Sequence, residues 1–356
     1  MPELNQIVPA ACIKYLNQQP DEWVDLVFAD PPFNIGYRYH GYEDRKDVEE
    51  YVNWSERWMR AVYRALKPTG SFYLAIGDEF AADLCHVARR KIGFHMRNWI
   101  IWHYTFGQQT KMKFAMSHTH ILYFTKEKPD KGMTNIIFNA DAVRVASARQ
   151  TTYNDVRANP KGKLPDDTWY LRPQETGEEF FAADSDTWYV SRLCGTFGER
   201  EGWHGCQMPF GVLNRIIRAS SNPGDVVVDP FNGSGTTVVS AALLDRQYVG
   251  IDQSKKYVGF ANKRLKHYLK VWEGLIKSSK DANGSVTPEM VIKTAADVSR
   301  ASRVETETDS LGRQRVPRNK PRGGRRRADA NGAKLSLTIP SPSSTQTSDL
   351  APAPVS

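Results

Sequence analysis

The sequence predicts an α/β protein built on an open sheet. Short apolar runs bounded by turn signals alternate with segments whose apolar residues recur every three or four positions, the pattern of strands followed by helices. Two of these runs end in conspicuous turns, Asp30-Pro31-Pro32-Phe33 and Asp229-Pro230-Phe231-Asn232-Gly233-Ser234-Gly235-Thr236. Because open α/β sheets carry their chemistry at the carboxyl ends of strands, we expect both turns to lie at that edge.

The composition is that of a globular protein with room for one large α/β domain and an insertion or tail. Of its 356 residues, 40% are hydrophobic and 25% are charged. No apolar run approaches the ~20 residues of a membrane span, and the N-terminus lacks the pattern of a signal peptide. The four cysteines are scattered, which predicts reduced thiols in a cytoplasmic protein. Nine basic residues and one acidic residue between Arg313 and Lys334 account for the whole net charge of +8.

Residues 1–124 are predicted to form one half of the α/β domain. Strands are expected at 25–29, 71–76, 98–102 and 120–124, and helices at 46–66 and 79–91. The segment Pro68-Thr69-Gly70 is expected to end the first of these helices. The polar loop 34–45 could fold over the site at the end of the first strand.

The remainder of the chain divides into three parts. Residues 125–205 lose the regular periodicity and are predicted to be an inserted, loop-rich recognition segment; within it, Asp167-Thr168-Trp169-Tyr170 and Asp186-Thr187-Trp188-Tyr189 form an echo too short to be a structural repeat. Residues 206–277 form the second half of the domain, with helices predicted at 210–220, 236–244 and 255–271 and strands at 225–229 and 248–252. Residues 278–356 are polar to basic, and we expect a mostly disordered tail.

The residues Asp30 to Phe33 combine an acid, a rigid backbone and an aromatic ring at the end of a buried strand. Proline fixes φ and offers no N–H, so the strand must end here, and Pro32 also restrains Pro31. The Asp30 carboxylate and the Pro31 carbonyl could accept the two hydrogens of a planar amine, such as that of a nucleobase, while Phe33 stacks on its ring. The alternative interpretation is a strand-ending turn with an incidental acid.

The second turn combines glycines with the start of a helix. Glycines let a ligand approach the backbone, and the first N–H groups of a helix are free donors. Asp252 ends the next strand, where a carboxylate can hold ribose hydroxyls. The turn is neither Gly-x-Gly-x-x-Gly nor a Walker loop, which requires Lys where Thr236 stands. These features favour a nucleoside-bearing ligand without an obligatory pyrophosphate; a tight turn without any ligand is the alternative.

The two turns, in this order and with Trp203-His204-Gly205-Cys206-Gln207-Met208-Pro209 before the second, resemble the beta class of S-adenosylmethionine-dependent DNA amino-methyltransferases over about residues 5–270. The resemblance implies a Rossmann-like methyltransferase fold with a circularly permuted motif order, in which the catalytic motif precedes the cofactor motif. It also implies S-adenosylmethionine as cofactor and double-stranded DNA as substrate, and hence a nucleoid-associated location in the cytoplasm. A cognate restriction endonuclease and a second copy of the chain are further candidate partners.

The resemblance also assigns roles to residues. Asp30, Pro31, Pro32 and Phe33 would be the catalytic set, and Asp at its first position, rather than Ser, favours adenine N6 over cytosine N4. Cofactor binding would fall to Asp229, Pro230, Phe231, Gly233, Ser234, Gly235, Thr236, Asp252, Gln207 and Pro209. The family often has Gly-Asp-Cys before the first helix, but this chain has Ala10-Ala11-Cys12. The contact of that Asp with the cofactor adenine is therefore missing or supplied elsewhere.

Three functional hypotheses remain at this point. The favoured one is an adenine-N6 DNA methyltransferase, and its rivals are an N4-cytosine methyltransferase and a methyltransferase-like DNA-binding module without activity. A protein-glutamine methyltransferase usually has Asn-Pro-Pro-Tyr after the cofactor motif, so the motif order and the first residue disfavour it.

Other conspicuous residues have plainer interpretations. Candidate phosphate-binding residues are Lys111, Lys113, Arg144, Arg149, Arg157, Lys161 and Lys163, although each can equally be solvated surface. The Arg-rich tail would be a nonspecific nucleic-acid tether or a solvated end. His118 and His120 are expected to satisfy local hydrogen bonds rather than bind a metal, and Trp54 and Trp58 to pack rather than stack on a base. No metal site is predicted.

Overall fold

An eight-stranded sheet lies at the centre of the computed structural model, with helices on both of its faces. The structure describes residues 2–40, 42–108, 112, 114, 116–129, 135–169, 199–201, 203–204, 206–280 and 285–306. The strands are β1 (Gln6–Pro9), β2 (Val24–Ala29), β3 (Arg38–Tyr39), β4 (Tyr42–Glu43), β5 (Leu66–Ile76), β6 (His95–Gln108), β7 (Met116–Thr125), β8 (Thr168–Trp169), β9 (Val226–Asp229) and β10 (Gln247–Asp252). The α-helices are α1 (Cys12–Asn17), α2 (Val48–Ala65), α3 (Asp78–His86), α4 (Ala148–Thr151), α5 (Phe210–Ser220), α6 (Thr236–Leu243), α7 (Lys255–Lys280) and α8 (Pro288–Thr306).

The order of the strands places a crevice between β2 and β9. The sheet runs β1-β10-β9-β2-β5-β7-β6-β8, and β3 pairs with β4 in a separate hairpin. Neighbours from β1 to β5 are parallel, whereas β7 is antiparallel to both β5 and β6. The chain leaves β2 through α2 towards β5 on one side, and leaves β9 through α6 towards β10 on the other. The carboxyl ends of β2 and β9 are thus adjacent where the winding reverses, which is where open α/β sheets bind ligands.

Alternate residues of β2 divide between two hydrophobic cores. Leu26 and Phe28 belong to the core that contains buried residues of α5, α6, α7 and α8. Val27 and Ala29 belong to the core that contains buried residues of α1, α2 and α3. A strand covered on both faces needs an unbroken apolar run, because successive side chains point to opposite sides of the sheet.

The start of β5 differs from the sequence prediction. The segment Pro68-Thr69-Gly70 was expected to form the turn after the helix, but α2 ends at Ala65 and β5 begins at the next residue. The segment lies instead within β5, where the pairing with β2 slips out of register. Lys67 Nζ lies 2.8 Å from Oδ1 of the buried Asp25, an ion pair that holds this part of β5 against β2. The register slip accommodates residues that local propensity assigns to a turn.

Residues 135–169, the longest described stretch of the predicted insertion, contribute a strand to the main sheet. β8 pairs in parallel with β6, and the Ile101 N–H donates to the Asp167 carbonyl at 2.8 Å. The Asn139 side chain donates to the carbonyls of Arg218 and Ser221 at the end of α5. This stretch is therefore anchored to the α/β domain. The second copy of the echo, at 186–189, lies outside the described residues.

The prediction of a mostly disordered tail from residue 278 is wrong for the first part of that segment. α7 continues to Lys280, beyond its predicted end at 271, and α8 follows at Pro288–Thr306. Val291, Ile292 and Ala295 recur at helical spacing and are buried in the core beside α7, which explains why this polar segment is helical. The Arg-rich segment lies outside the described residues. Among the described helices, none has the length and apolar character needed to cross a membrane.

Candidate functional site

A cavity of about 490 Å³ opens at the carboxyl edge of the sheet. The ends of β1, β2, β5, β9 and β10 bound it, so the two turns predicted from the sequence meet in one place. All of the predicted catalytic and cofactor-binding residues line this cavity except Gly235 and Pro209. Further lining residues that the sequence analysis did not assign to the site include Ala10, Cys12, Asn232, His204, Tyr39 and Trp54.

The backbone between Asp30 and Phe33 is held from α2. The hydroxyl of the fully buried Tyr51 donates to the Pro32 carbonyl at 2.7 Å. Pro31 is one of the lining residues, and its carbonyl receives no hydrogen bond from any described residue. The Phe33 ring lies against Gly77, the residue that follows β5, where a Cβ atom would come within 3.2 Å of the ring. An acceptor pair and an aromatic face are therefore presented together to the cavity.

Asp30 and Asp229 lie at the ends of neighbouring strands, and both carboxyl groups are surrounded by protein atoms. Burial raises the pKa of Asp30 to about 8, and the nearby Asp229 carboxylate adds to the shift. Burial likewise raises the pKa of Asp229 to about 7, against hydrogen bonds from Thr237 and from the Phe231 N–H. Two like charges at one buried site oppose each other's ionisation. A bound cation would offset both the burial of the two carboxylates and the repulsion between them, so the site favours a positively charged ligand.

We expect the stability of the ligand-free protein to fall as the pH rises from about 5 to about 8. In the unfolded chain a carboxyl group ionises near pH 4, whereas Asp30 in the folded protein ionises near pH 8. Between these values the folded state binds the extra proton, so stability is lost with rising pH. Melting temperatures of the wild type and Asp30→Asn, measured at pH 5.5, 7 and 8.5, test this. The melting temperature of the variant should increase relative to that of the wild type as the pH rises. A difference in melting temperature that does not change with pH would contradict the prediction.

The two glycines of the second turn are required by protein contacts. Gly233 has a φ of 46° and lies against His204, whose Nε2 would be 2.9 Å from an added Cβ. Gly235 has a φ of 79° and packs against Ala261 of α7, at 3.0 Å from the same virtual atom. Positive φ values of this kind favour glycine. Gly233 lines the cavity and Gly235 does not, so the role of Gly235 beside a ligand stays a prediction.

Asp252 and Asn232 form a polar wall on the cofactor side of the cavity. Asp252 Oδ2 accepts the Gly233 N–H at 3.0 Å, and Oδ1 accepts the Ser254 N–H at 2.8 Å. Each oxygen keeps a lone pair for a further donor. Asn232 is 3% exposed, and neither atom of its side-chain amide has a partner among the described residues. A buried amide without partners is costly, and Asn232 lines the cavity while its Oδ1 also packs against Gly250 of β10.

Gln207 and Pro209 have structural roles in this fold. The Gln207 amide donates to the Glu199 carbonyl at 2.7 Å and accepts the Glu201 N–H at 2.9 Å. Its polar atoms therefore hold the 199–201 segment, although part of the side chain lines the cavity. Pro209 is the N-cap of α5 and lies outside the lining. Direct ligand binding by either residue is not supported by these contacts.

The buried Arg264 of α7 fastens the second turn to the rest of the domain. Its Nη1 donates to the Ser234 carbonyl at 3.0 Å and to the Thr236 hydroxyl at 2.8 Å. Its Nε lies 3.1 Å from a carboxylate oxygen of Glu201. The sequence analysis missed this residue, because nothing in the helical periodicity of α7 distinguishes it from the other basic residues there.

The hairpin of β3 and β4 reaches over the cavity to the cofactor side, in agreement with the expectation that the loop 34–45 folds over the site. The His40 N–H donates to the Tyr257 hydroxyl at 3.2 Å, and His40 Nδ1 lies 3.1 Å from Ser254 Oγ. The Tyr39 hydroxyl lies 3.8 Å from Cys206 Sγ.

The start of α1 forms another part of the cavity wall. Ala11 is the N-cap of this helix and makes no side-chain hydrogen bond there.

Asp78, His118 and His120 form a cluster of potential metal ligands beside Gly77. Nε2 of His118 and Nε2 of His120 lie 3.1 and 3.0 Å from the same Asp78 oxygen. Trp99 Nε1 donates to His120 Nδ1 at 2.8 Å. Since the Trp99 N–H can only donate, the neutral His120 ring carries its proton on Nε2, which then donates to Asp78. These bonds favour the local hydrogen-bonding role over a metal site, because a protonated nitrogen cannot bind a metal.

The two tryptophans of α2 have different environments. Trp58 is fully buried and belongs to the core, as the packing interpretation expects. Trp54 is half-buried, lines the cavity and contacts the Phe231 ring at 5.8 Å between centroids. The helical spacing of Trp54 and Trp58 in the sequence could not show that one lines the cavity and the other is buried in the core.

The candidate phosphate-binding residues within the described chain all pair with nearby carboxylates. Arg149 and Arg157 both bond to Asp155, and Arg144 and Lys161 both pair with Asp141. Lys163 pairs with Asp166. The side chains of Arg149 and Arg157 remain 60% and 79% exposed, so the pairing does not remove them from the surface. Lys111 and Lys113 lie outside the described residues.

Comparison with known proteins identifies the class to which this site belongs. The profile of the DNA methylase family of the N6/N4 type matches residues 24–263. The type II methyltransferase M.HpaI of Haemophilus parainfluenzae is 31% identical over 73% of this chain and 74% of its own length. The DNA adenine methyltransferase YhdJ of Escherichia coli K12 is 30% identical over 82% of this chain and 96% of its own. Among solved structures, the cytosine-N4-specific PvuII DNA methyltransferase shares 18% identity over 72% of this chain and 84% of its own, with a TM-score of 0.49.

The family match covers more than half of the chain and includes both turns and Asp252. The protein therefore belongs to the N6/N4 DNA methylase family and is a DNA methyltransferase.

Proposed function

We propose that this protein transfers a methyl group from S-adenosylmethionine to the N6 amine of adenine in double-stranded DNA. The observation that carries the proposal is the set formed by Asp30, the Pro31 carbonyl and the Phe33 ring, which faces the same cavity as Asp252 and Asn232. The first set suits a planar amine on an aromatic ring, and the second suits a nucleoside. The test is mass analysis of nucleosides from DNA incubated with the protein and S-adenosylmethionine, in which N6-methyladenine should appear.

The residues of the cavity fit S-adenosylmethionine. The Asp252 carboxylate has lone pairs for the ribose hydroxyls, and the orphaned Asn232 amide can meet polar groups of the ligand. The raised pKa values of Asp30 and Asp229 show two buried carboxyl groups that a cation would stabilise in their charged forms. When bound, the cofactor supplies an electrophilic methyl group on a sulfonium cation. Phe231 and Gly233 of the second turn also line the cavity.

The residues of the catalytic set position the amine. The adenine amine is a poor nucleophile because its lone pair is delocalised into the ring. Asp30 and the Pro31 carbonyl accept its two hydrogens, which favours a more pyramidal nitrogen with its lone pair directed at the cofactor side, and stabilises the positive charge that develops there. Asp30 need not be a strong base, since the methylated amine is acidic and loses its proton afterwards. Because this nitrogen lies inside the duplex stack, the base must be flipped out onto Phe33.

Adenine is favoured over cytosine because Asp, rather than Ser, stands first in the catalytic motif. Cytosine N4 remains the alternative, since it presents a similar exocyclic amine. The same nucleoside analysis separates the two, because N4-methylcytosine differs from N6-methyladenine in mass. Absence of both products from duplex DNA of varied sequence would favour the binding module without activity.

Further parts of the proposal concern organisation and partners. The catalytic motif precedes the cofactor motif along the chain, which we interpret as a circular permutation of the methyltransferase fold. We assign residues 125–205 to target recognition, with Arg149 and Arg157 exposed for phosphate contacts. A cognate restriction endonuclease and a homodimer are candidate partners, and a DNA substrate implies a nucleoid-associated location.

We expect Gly77→Ala to slow methyl transfer while leaving cofactor affinity unchanged. The φ of Gly77 is −78°, which alanine adopts readily, and the added Cβ would meet only the Phe33 ring, at 3.2 Å. Phe33 must then shift by a few tenths of an ångström, and a misplaced base platform should lower the rate by roughly three- to ten-fold. Gly259→Ala on α7 is the matched control, since nothing lies within 4 Å of its virtual Cβ. Equal rates for both variants would show that Phe33 does not position the base.

A further inference from the structure

We propose that Ile35 is the wedge that enters the DNA stack when the target base is flipped into the cavity. The inference rests on the proposed function and names a DNA-contacting residue beyond the catalytic and cofactor sets. Ile35 is 68% exposed, lies two residues after Phe33 and forms part of the cavity wall. It therefore stands at the mouth through which a flipped base would pass.

The backbone that carries Ile35 is clamped by one buried carboxylate. Asp44 is 2% exposed and accepts the N–H groups of Asn34 at 2.8 Å, Ile35 at 3.2 Å and Tyr37 at 3.0 Å. The remaining N–H in the run, that of Gly36, donates to the Asp44 main-chain carbonyl at 2.8 Å. Four successive N–H groups thus converge on one residue. Hydrogen bonds to a charged acceptor are among the stronger ones, so this turn is held firmly.

The second side of the clamp is the Asn34 side chain. Asn34 has a φ of 60°, and its amide donates to the Lys46 carbonyl at 2.8 Å and accepts the Lys46 N–H at 2.7 Å. Gly36, with a φ of 78°, completes the turn in a conformation that favours glycine. The loop between Phe33 and α2 is therefore closed on itself, and the position of Ile35 is set independently of any DNA.

The exposed, β-branched side chain of Ile35 does not pack in either hydrophobic core of the domain. Exposing a large aliphatic side chain to water is unfavourable in free energy. The clamped loop nevertheless holds Ile35 in such an exposed position. DNA-binding proteins that unstack a base step insert apolar side chains such as Phe, Leu, Ile and Met into the gap. Ile35 borders the cavity that holds Phe33. Ile35 can therefore fill the gap that the flipped base leaves in the duplex while Phe33 stacks on that base.

The other exposed apolar residues in the described part of the chain lack this combination. Met112 and Phe114 are each 97% exposed and Val156 is 98% exposed, but none of the three lines the cavity. Ile276 of α7 is 38% exposed and also lies outside the lining. Ile276→Ala is therefore a control that removes the same side chain from a surface without a predicted DNA contact.

The test compares methylation rates on two duplexes that contain the methylation site mapped by sequencing. In one the target base is paired, and in the other it faces an abasic site, so that less unpairing is needed. We expect Ile35→Ala to lose about ten-fold in rate on the paired duplex, because most of the aliphatic surface that the wedge would bury between the bases is removed, and to lose much less on the abasic duplex. Ile35→Leu should restore most of the rate, and Ile276→Ala should match the wild type on both. Cofactor affinity and melting temperature should be unchanged in all three variants.

Two results would overturn the inference. An equal loss on both duplexes would place Ile35 in the general architecture of the site, and wild-type rates on both would exclude it from base extrusion. Failure of the proposed function has a different signature, because the wild type would then methylate neither duplex or would place the methyl group on cytosine N4, which nucleoside analysis of the products detects.

Discussion

Asp30→Asn should lower the rate of methyl transfer by about a hundred- to a thousand-fold, the usual effect of removing one preorganised group that stabilises developing charge. Asparagine keeps the volume and one acceptor oxygen, but it removes the negative charge and can turn an N–H towards the amine. Cofactor affinity should fall far less than the rate, because the proposed ribose and polar contacts lie with Asp252 and Asn232 across the cavity and Asp229 still supplies a carboxylate for the cation. Calorimetric titration with S-adenosylmethionine and a single-turnover assay on DNA measure the two quantities separately.

Asp229→Asn provides the comparison for this variant. Asp229 Oδ1 accepts the Phe231 N–H at 2.9 Å and so supports the second turn. We therefore expect its substitution to weaken cofactor binding, in contrast to that of Asp30. If Asp30→Asn lost cofactor binding and activity together, Asp30 would belong to the cofactor pocket rather than to the amine site.

Arg264→Met should cause the largest loss of stability among the substitutions considered. The Arg264 side chain is 1% exposed, pairs with Glu201 and bonds to the Ser234 and Thr236 groups of the second turn. Methionine roughly fills the volume, but it removes the guanidinium that lies 4.9 Å from the Phe210 ring centroid and leaves the Ser234 carbonyl, the Thr236 hydroxyl and the Glu201 carboxylate without their partner. Breaking a buried pair in this way costs about 3–5 kcal/mol, which corresponds to a fall in Tm on the order of 10 °C.

Arg60→Met is the matched control for the Arg264 variant. Arg60 pairs with Glu56 on the surface of α2 and is 52% exposed, so its loss should change the stability by less than about 1 kcal/mol. The Arg264 variant should also bind S-adenosylmethionine more weakly, since the turn that lines the cavity is no longer fastened to α7. Similar melting temperatures for the two variants would show that Arg264 is not needed to hold the turn.

The ends of the central strands could be predicted because their signals are local. Pro31 and Pro32 cannot continue a strand, and Gly233 and Gly235 supply the positive φ values that the second turn adopts. The tail was harder, since α8 is polar over most of its length. The burial of Val291, Ile292 and Ala295 beside α7 and the ion pair between Arg218 and Glu289 stabilise it, and three apolar residues in a charged segment are a weak signal.

The sequence by itself determined the α/β class, the two turns at strand ends and their order, because strand length, proline and glycine act on the residues nearest to them. Only the tertiary structure decided what those turns face. The pairing of β2 with β9 brings Asp30 and Asp229 together, and their burial at this edge raises both pKa values. The packing of α7 places Ala261 against Gly235, 3.0 Å from the position of a Cβ atom there. These contacts join residues far apart in the chain, so no local pattern encodes them; the packing of the sheet and helices creates them.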